Sequence, residues 1–289
     1  MAKNGDIIDG KKVVHKIEDN MNPQDVLCTT YQMRNIFQQF GSGFFSNLDV
    51  MNYIQHHKAA KMAKAGMNVL DVCCGRSMIL PLLRYYSKTI KSYTGVDISE
   101  TNINEAKRGC TCRKWDVKEE ELESYYPFET NWVLSNVDSM SQHLTPNSMD
   151  LIVYTSAIEH MHKDVGYQSL KECKKLLSSD GLMFLSCPNT PGNGYETQYA
   201  AHVYEWGYDE LKTALHELDF EIVQEVGLVL QGKDVEPLIA SQPKEVQDFC
   251  NKLKNYLPSE WLTPILAIPF PETAKEVLFV VRHKKKRLF

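Results

Sequence analysis

The chain has 289 residues, of which 43% are hydrophobic, and a formal net charge of −5. Its length and hydrophobic fraction exclude a disordered or peptide-scale protein and are sufficient for one large α/β domain with additions. The mild acidity argues against long duplex DNA as a partner bound through overall charge, although it leaves room for a local basic groove.

The sequence shows no signal for secretion or membrane insertion. The first residues, MAKNGDIIDGKK, contain no apolar segment of the kind found in signal peptides, and no later stretch has about 18 apolar residues in a row. The eight cysteines are scattered and lack the CxxC spacing of zinc sites and redox centres. We therefore predict a cytoplasmic protein with reduced thiols and no membrane partner.

From residue 67 onward, short apolar runs alternate with longer amphipathic stretches, which is typical of a parallel sheet flanked by helices. The apolar runs predict strands at residues 67–73, 92–97, 110–115, 149–155, 182–187, 220–230 and 276–282. The amphipathic stretches predict helices at residues 77–87, 100–108, 166–177 and 211–218. Gly181 stands just past the third of these helices, where a glycine commonly ends a helix.

The same pattern divides the chain into regions. Residues 1–65 lack strand alternation and predict a helical cap, and residues 66–230 form the predicted core. Residues 231–275 predict an inserted lid with its own helix at 246–256 and a proline-containing tail. Residues 276–289 hold the last strand and a basic run, which is interpreted as a solvated tail, with a phosphate contact as the alternative.

The strongest local motif is VLDVCCGRS at residues 69–77. Its acidic residue, Asp71, lies inside a predicted buried strand, and a tight turn leads from that strand into a helix. This arrangement places backbone N–H groups and a helix N-terminus beside a bound ligand. A nicotinamide-binding turn would instead read GxGxxG directly after the strand, without the leading acid.

The motif resembles motif I of the class I S-adenosylmethionine-dependent methyltransferases, which commonly reads D-h-G-C-G-x-G. Asp71, Cys74 and Gly75 match this pattern, whereas Cys73 and Ser77 stand where the family usually has glycine. Both are small, but a residue with a side chain does not freely adopt a positive φ. The resemblance implies S-adenosylmethionine as cofactor. It also implies an α/β fold with a Rossmann-like seven-stranded sheet whose last strand is antiparallel.

Two later segments continue the resemblance. YTGVDIS at residues 93–99 resembles motif II, whose acid, here Asp97, accepts hydrogen bonds from both ribose hydroxyls of the cofactor. KWDV at residues 114–117 resembles the third motif, in which an acid receives the adenine amino group. The resemblance covers about residues 67–230 and says little about the acceptor. The cofactor-binding residues that it implies are Asp71, Cys73, Gly75, Asp97, Ile98, Asp116, Val117 and Thr155.

Further polar side chains follow the predicted fourth and fifth strands, at the sheet edge where ligands of such folds bind. Glu159 and His160 follow the fourth strand, and His202 lies in a long loop after the fifth. These elements resemble the small-RNA 3′-terminal 2′-O-methyltransferases, in which a Glu-x-x-Glu-His motif and a later His hold a divalent metal. Three of the four ligands match, and Ser156 replaces the first glutamate. The ubiquinone-pathway O-methyltransferases carry a similar Glu-His element.

We predict Glu159, His160 and His202 as catalytic residues, with three roles open. In the first, the three residues bind a divalent metal, and one carboxylate with two imidazoles favours Mn²⁺, Fe²⁺ or Zn²⁺ over Mg²⁺. Alternatively, a histidine acts as a metal-free general base. In the third interpretation the group makes only structural hydrogen bonds.

The sequence also limits the acceptor. Neither the Asp/Asn-Pro-Pro-Tyr/Trp motif of amino-methylating DNA enzymes nor the Pro-Cys motif of cytosine-C5 methylation follows the fourth strand. We therefore predict methyl transfer to an oxygen or nitrogen of a small-molecule acceptor. The ribose at an RNA 3′ end is the second hypothesis, and a non-catalytic S-adenosylmethionine-binding module is the third.

Overall fold

A seven-stranded sheet forms the centre of the computed structural model, which describes residues 7–8, 11–12, 45–107 and 126–285. Its strands are β1 Asn68–Val72, β2 Ser92–Asp97, β3 Glu129–Leu134, β4 Met149–Tyr154, β5 Leu177–Pro188, β6 Phe220–Val229 and β7 Glu276–His283. They lie in the order β3-β2-β1-β4-β5-β7-β6, and β7 runs antiparallel to both of its neighbours. The predicted Rossmann-like sheet with an antiparallel last strand is confirmed.

Helices cover both faces of this sheet. They are α1 Asn47–Met62, α2 Leu80–Tyr86, α3 Glu100–Lys107, α4 Lys163–Leu176, α5 Tyr208–Glu217, α6 Gly232–Ala240, α7 Lys244–Lys254 and α8 Ser259–Ala267. Short 3₁₀ turns lie at Met140–Gln142 and Ile158–His160. Within the described ranges, no helix has the length and apolarity needed to cross a lipid bilayer.

The core lies on both sides of the central strands, because successive strand residues point to opposite faces. Leu70 of β1 packs on the side of Leu170 from α4, and Val69 packs on the side of Leu83 from α2. Burial on both faces explains why these strands read as continuous apolar runs. The strand order reverses between β1 and β4, and a crevice for ligands is expected at their carboxyl ends.

The strand beside β2 lies at residues where the sequence predicted none. β3 pairs with β2 along its whole length, and the sequence predicted the third strand at residues 110–115 instead. β3 is an edge strand, and its sequence, ETNWVL, is half-buried or exposed throughout. It therefore lacks the apolar run that marks the central strands. Residues 110–115, with Asp116 and Val117 after them, lie outside the described residues.

The glycine predicted to end a helix has another role. Helix α4 ends at Leu176, and Gly181 lies inside β5. A Cβ atom at Gly181 would come within 2.9 Å of the Met149 carbonyl oxygen and 2.7 Å of a Leu177 methyl group. The glycine therefore permits close approach of β4 and β5, which is a common use of glycine within strands.

The predicted N-terminal cap agrees with the structure only in part. Helix α1 is helical as expected, but Ile7–Ile8 and Lys11–Lys12 pair as two short antiparallel strands. The rest of residues 1–44 lies outside the described part of the chain.

The insertion between β6 and β7 contains three helices, α6 to α8, where the sequence predicted one at residues 246–256 and an irregular tail. Pro237 and Pro264 lie inside α6 and α8, positions at which proline normally weakens a helix. Leu262 and Ala267 of α8 are buried, and α8 packs on α1 and β6. This packing offsets the hydrogen bond that the proline removes.

Candidate active site

The turn after β1 contains three residues in the left-handed region. Cys73, Gly75 and Ser77 have φ angles of 54°, 53° and 61°. Glycine adopts this conformation freely, whereas for a residue with a side chain it costs roughly 1–2 kcal/mol. Cys73 and Ser77 thus take the backbone conformation for which the resembled motif uses glycine. Strain of this kind is common where a backbone is shaped around a ligand.

Asp71 supports this turn from within the sheet. It is buried, and the Tyr93 hydroxyl lies 2.7 Å from its Oδ2 atom and 2.8 Å from Ser77 Oγ. Burial raises the pKa of Asp71 to about 7; the hydrogen bond from Tyr93 opposes this rise and the charge of Asp97 adds to it. Through Tyr93, Asp71 therefore connects β1, β2 and the turn.

Asp97 ends β2 and is held by three donors. Its Oδ2 atom accepts the Gly75 N–H at 2.8 Å, and its Oδ1 atom accepts the Ser99 N–H at 2.8 Å and the Asn102 amide at 3.3 Å. The side chain is 6% exposed, whereas the neighbouring Ile98 is 71% exposed. Because a carboxylate has about four acceptor positions, Asp97 keeps capacity for about one more hydrogen bond, such as one from the ribose hydroxyls that the motif implies.

A cavity of about 340 Å³ lies between the β1 turn and helix α1. The predicted cofactor residues that line it are Asp71, Cys73, Gly75 and Thr155. Helix α1 contributes Asn52 and His56, which the sequence analysis did not assign to a site. Their spacing of four residues on one helix is the only signal that could have linked them.

His56 and Gln55 fix α1 to the sheet edge. His56 Nε2 lies 3.1 Å from Thr155 Oγ1, and burial lowers the pKa of His56 to about 4, so its ring is neutral. The fully buried Gln55 donates to Ser156 Oγ at 3.2 Å and accepts the Ser186 hydroxyl at 2.6 Å. Helix α1 is thereby joined to the ends of β4 and β5.

The end of β3 adjoins the end of β2. The Ser135 N–H donates to the Asp97 carbonyl at 3.1 Å, and the exposed Asn136 follows. The resemblance places the adenine contact after the third strand, and KWDV at residues 114–117 was assigned to it. Asp116 and Val117 lie outside the described residues, so that assignment stays a prediction. Residues 135–137 follow the observed β3 and are a second position for the contact.

Glu159, His160 and His202 come together as the sequence analysis expected. One ligand atom from each lies within 4.8 Å of the other two, and the two imidazole rings are perpendicular with centroids 4.9 Å apart. Glu159 and His160 lie in the 3₁₀ turn after β4. The loop after β5 returns to this turn, where the Val203 N–H donates to the Glu159 carbonyl at 2.8 Å.

Hydrogen bonds set the orientation of both rings. His160 Nδ1 lies 3.1 Å from the Ala201 carbonyl oxygen, and His202 Nδ1 lies 2.5 Å from Glu205 Oε1. A carbonyl and an ionised carboxylate only accept hydrogen bonds, so each ring carries a proton on Nδ1. In the neutral form of each ring the Nε2 atom is therefore the unprotonated nitrogen, which is the kind of atom that binds metals.

Glu205 holds His202 in place and was missed as a site residue. It is fully buried and accepts the Gln198 N–H at 2.9 Å and the Thr190 hydroxyl. Burial alone would raise its pKa, but the hydrogen bonds from Thr190, His202 and Gln198 keep the pKa below its usual value. The signal was present in the sequence, since metal-binding histidines commonly donate their second nitrogen to a carboxylate.

Glu159 carries a buried oxygen without a partner. Its Oε2 atom makes no hydrogen bond to any described residue. Burial raises the pKa of Glu159 to about 8, a backbone hydrogen bond lowers it, and the charge of Glu205 raises it further. A buried oxygen in this state needs an explanation, and with a possible ligand nitrogen on each of two imidazole rings close by it fits a divalent cation. Ser156, which stands where the resembled motif has its first glutamate, does not join this group. Its hydroxyl donates to Glu276 Oε1 at 3.4 Å instead.

Comparison with known structures shows the fold at low sequence identity. A methyltransferase from Archaeoglobus fulgidus described as SAM-dependent is 16% identical over 87% of this chain and 99% of its own, with a TM-score of 0.50. The small RNA methyltransferase HEN1 is 14% identical over 82% of this chain and 25% of its own, with a TM-score of 0.52. The [4+2]-cyclase SpnF is 14% identical over 80% and 81% of the two chains, with a TM-score of 0.52.

A sequence-family comparison goes further than the fold. No curated protein matches the chain. A family model described as a methyltransferase domain matches residues 52–225, which is more than half of the chain. This range includes the β1 turn, Asp97 and the Glu159, His160 and His202 group. The chain belongs to the methyltransferase-domain family, and S-adenosylmethionine is the cofactor that the motifs at Asp71 and Asp97 imply for it.

Proposed function

We propose that this methyltransferase acts on a hydroxyl oxygen of an acceptor that binds through a divalent metal at Glu159, His160 and His202. The observation that supports the proposal most is the unpaired, buried Oε2 atom of Glu159 beside two imidazole rings whose Nδ1 atoms are engaged in hydrogen bonds. Glu205 adds the carboxylate–histidine contact that is usual behind a metal ligand.

Methyl transfer is a displacement in which the acceptor oxygen forms a C–O bond while the C–S bond of the sulfonium breaks. S-adenosylmethionine supplies the methyl group, and a divalent ion at the cluster would lower the pKa of a coordinated hydroxyl. The chain's own residues align the reactants. Asp97 and the β1 turn are positioned to hold the cofactor, and Glu205 holds the His202 ring in one orientation.

The cluster favours an acceptor with two adjacent hydroxyl groups. Three protein ligands leave positions open in the coordination sphere of a catalytic metal, and a vicinal diol can fill two of them. Small-molecule diols and the ribose at an RNA 3′ end share this chemistry. Because a small RNA methyltransferase has the same fold, we take the terminal ribose as the first acceptor to test.

The test compares two oligoribonucleotides that differ only in the 2′ oxygen of the last residue. We expect tritium transfer from labelled S-adenosylmethionine to the 2′-hydroxyl form and none to the 2′-deoxy form. EDTA should abolish transfer and Mn²⁺ should restore it. His202→Ala should also abolish it, whereas His216→Ala, which changes an exposed histidine of α5, should not. Transfer that is indifferent to EDTA would contradict the metal, and equal transfer to both oligonucleotides would contradict the 2′-oxygen.

A metal-free general base is the second candidate, and the His202–Glu205 pair favours it. In this case His202 Nε2 accepts the acceptor proton directly, and Glu205 stabilises the resulting imidazolium. Activity would then require His202 but not a metal. Calorimetry separates the two candidates, because Mn²⁺ should bind the original protein and not Glu159→Gln if the cluster is a metal site.

A further inference from the structure

We infer that the exposed face formed by α1 and α2 binds a single-stranded nucleic acid. This α1–α2 face consists of Tyr53, His57, Lys61, Lys64, Tyr85, Tyr86, Lys88 and Lys91. The inference identifies the acceptor class and, in that respect, rests on the proposed function. Binding itself requires neither the cofactor nor a metal, so it is measured separately.

Four aromatic rings form a continuous row on this face. The centroids of Tyr53 and His57 are 5.4 Å apart with nearly parallel planes, those of His57 and Tyr86 are 4.8 Å apart, and those of Tyr86 and Tyr85 are 4.7 Å apart. Tyr53 is 51% exposed and Tyr85 is 73% exposed. Exposed aromatic rings are the stacking surfaces on which single-stranded nucleic acids place their bases.

The charge near the rings is mostly positive although the whole chain is acidic, and the exposed Asp49 is an acid one turn before Tyr53 on α1. Residues 53–91 contain seven of the 32 Lys and Arg residues and one of the 37 Asp and Glu residues. That one acid, Asp71, is buried. Lys61, Lys64, Lys88 and Lys91 are exposed and form no ion pair with any residue of the described ranges. Such a local excess of cations is complementary to a phosphate backbone.

The two helices hold these groups at fixed positions. The Ser87 hydroxyl, just after α2, is buried and donates to the Ala60 carbonyl and, at 3.0 Å, to the Ala63 carbonyl near the end of α1. Lys61 and Lys64 are therefore close in the fold to Lys88. Along α1, Tyr53 and Lys61 are two turns apart, which is about 12 Å. The face thus places stacking groups and cations side by side along one direction.

The same face adjoins the cofactor cavity. Asn52 and His56 line that cavity, and Tyr53 and His57 are their immediate neighbours on α1. Met78, which precedes α2, also lines the cavity and is 59% exposed. A single-stranded nucleic acid that lies on the rings would therefore pass the entrance of the cofactor cavity.

The experiment measures binding of a fluorescein-labelled twelve-residue oligouridylate by fluorescence anisotropy, in EDTA and without cofactor. We expect Tyr53→Ala and Tyr85→Ala each to weaken binding at least about fivefold, because stacking on one ring contributes that much or more. Lys61→Glu with Lys88→Glu should weaken it further. With four phosphates neutralised, the plot of log K against log salt should have a slope of about −3.

Matched controls are Tyr256→Ala, an 85% exposed tyrosine, and Lys233→Glu with Lys252→Glu on the inserted helices. These variants should bind as the original protein does. Calorimetry with S-adenosylhomocysteine reports whether each variant is folded. Absence of binding by the original protein at low salt would overturn the inference, as would equal losses in the controls. Polyglutamate serves as a polyanion without bases, and its carboxylates do not stack on aromatic rings. If it binds with the same dependence on Tyr53 and Tyr85, the inference of nucleic-acid binding is overturned. Because EDTA is present, loss of the metal-dependent reaction leaves this result unaffected.

Discussion

Replacement of Asp97 by alanine tests the cofactor site most directly. Asp97 is 6% exposed and accepts hydrogen bonds from Gly75, Ser99 and Asn102, so it fixes the β1 turn and the start of α3. About one acceptor position remains for an expected ribose hydroxyl. Loss of this hydrogen bond to a charged group should weaken S-adenosylhomocysteine binding by about 1.5–3 kcal/mol. This corresponds to a dissociation constant about 10- to 150-fold higher.

The variant should also be less stable. The Gly75 and Ser99 N–H groups lose their acceptor, which costs about 1–3 kcal/mol for each group that stays buried. Calorimetry gives the affinity and urea unfolding gives the stability. Asp97→Asn keeps the side-chain volume but replaces one acceptor oxygen by a donor. Its affinity for S-adenosylhomocysteine should lie between those of the original protein and Asp97→Ala. Asp164→Ala, on the exposed side of α4, is the control. Unchanged affinity in a folded Asp97→Ala protein would refute the cofactor assignment.

Three further predictions concern other parts of the site. Glu205→Gln should lower Mn²⁺ affinity about 10- to 100-fold, measured by calorimetry, because it weakens the carboxylate contact that orients His202, and cofactor affinity should not change. Asn136→Ala should weaken S-adenosylhomocysteine binding more than Asp116→Ala, since residue 136 follows the observed third strand. A larger loss of affinity in Asp116→Ala would instead support Asp116 as the adenine contact. The pKa of His56 is lowered to about 4 by burial, so the unfolded chain binds a proton at higher pH than the folded one does. The free energy of unfolding should therefore fall as pH drops from about 6.5 towards 4, and His56→Gln should remove that part of the pH dependence in urea titrations.

Much of the fold could be predicted because the central strands are buried on both faces. β2 begins and ends where the sequence predicted, β1 is one residue shorter at each end, and β4 is one residue shorter at its C-terminal end. β3 could not be found in this way, since an edge strand is solvated and carries polar residues. The helix with Pro264 was also missed, because its stability comes from packing against α1 and β6, which a local pattern does not reveal.

The parts of the site at the ends of parallel strands could be predicted from the sequence. The parts that helix α1 contributes could not. Glu159 and His202 were expected to meet because strand ends of one sheet share an edge, and the structure brings them together. Asn52 and His56 reach the cavity from α1, and nothing in the sequence of a helix indicates which crevice its side chains enter. The tautomer of His202 depends on Glu205, whose burial is a property of the folded chain alone.

The buried amide of Gln55 determines which part of the enzyme can open for exchange of ligands. Lifting α1 would break two hydrogen bonds, from the Gln55 amide to Ser156 Oγ and from the Ser186 hydroxyl to the Gln55 amide oxygen, at about 0.5–1.5 kcal/mol each. The loop at residues 189–207 is mostly exposed over its first two thirds, whereas its last third is anchored by the Val203 N–H on the Glu159 carbonyl and by the buried Glu205. We therefore expect residues 191–201 to move and α1 to stay. Because His202 belongs to the anchored part, the group of Glu159, His160 and His202 would stay assembled while ligands exchange.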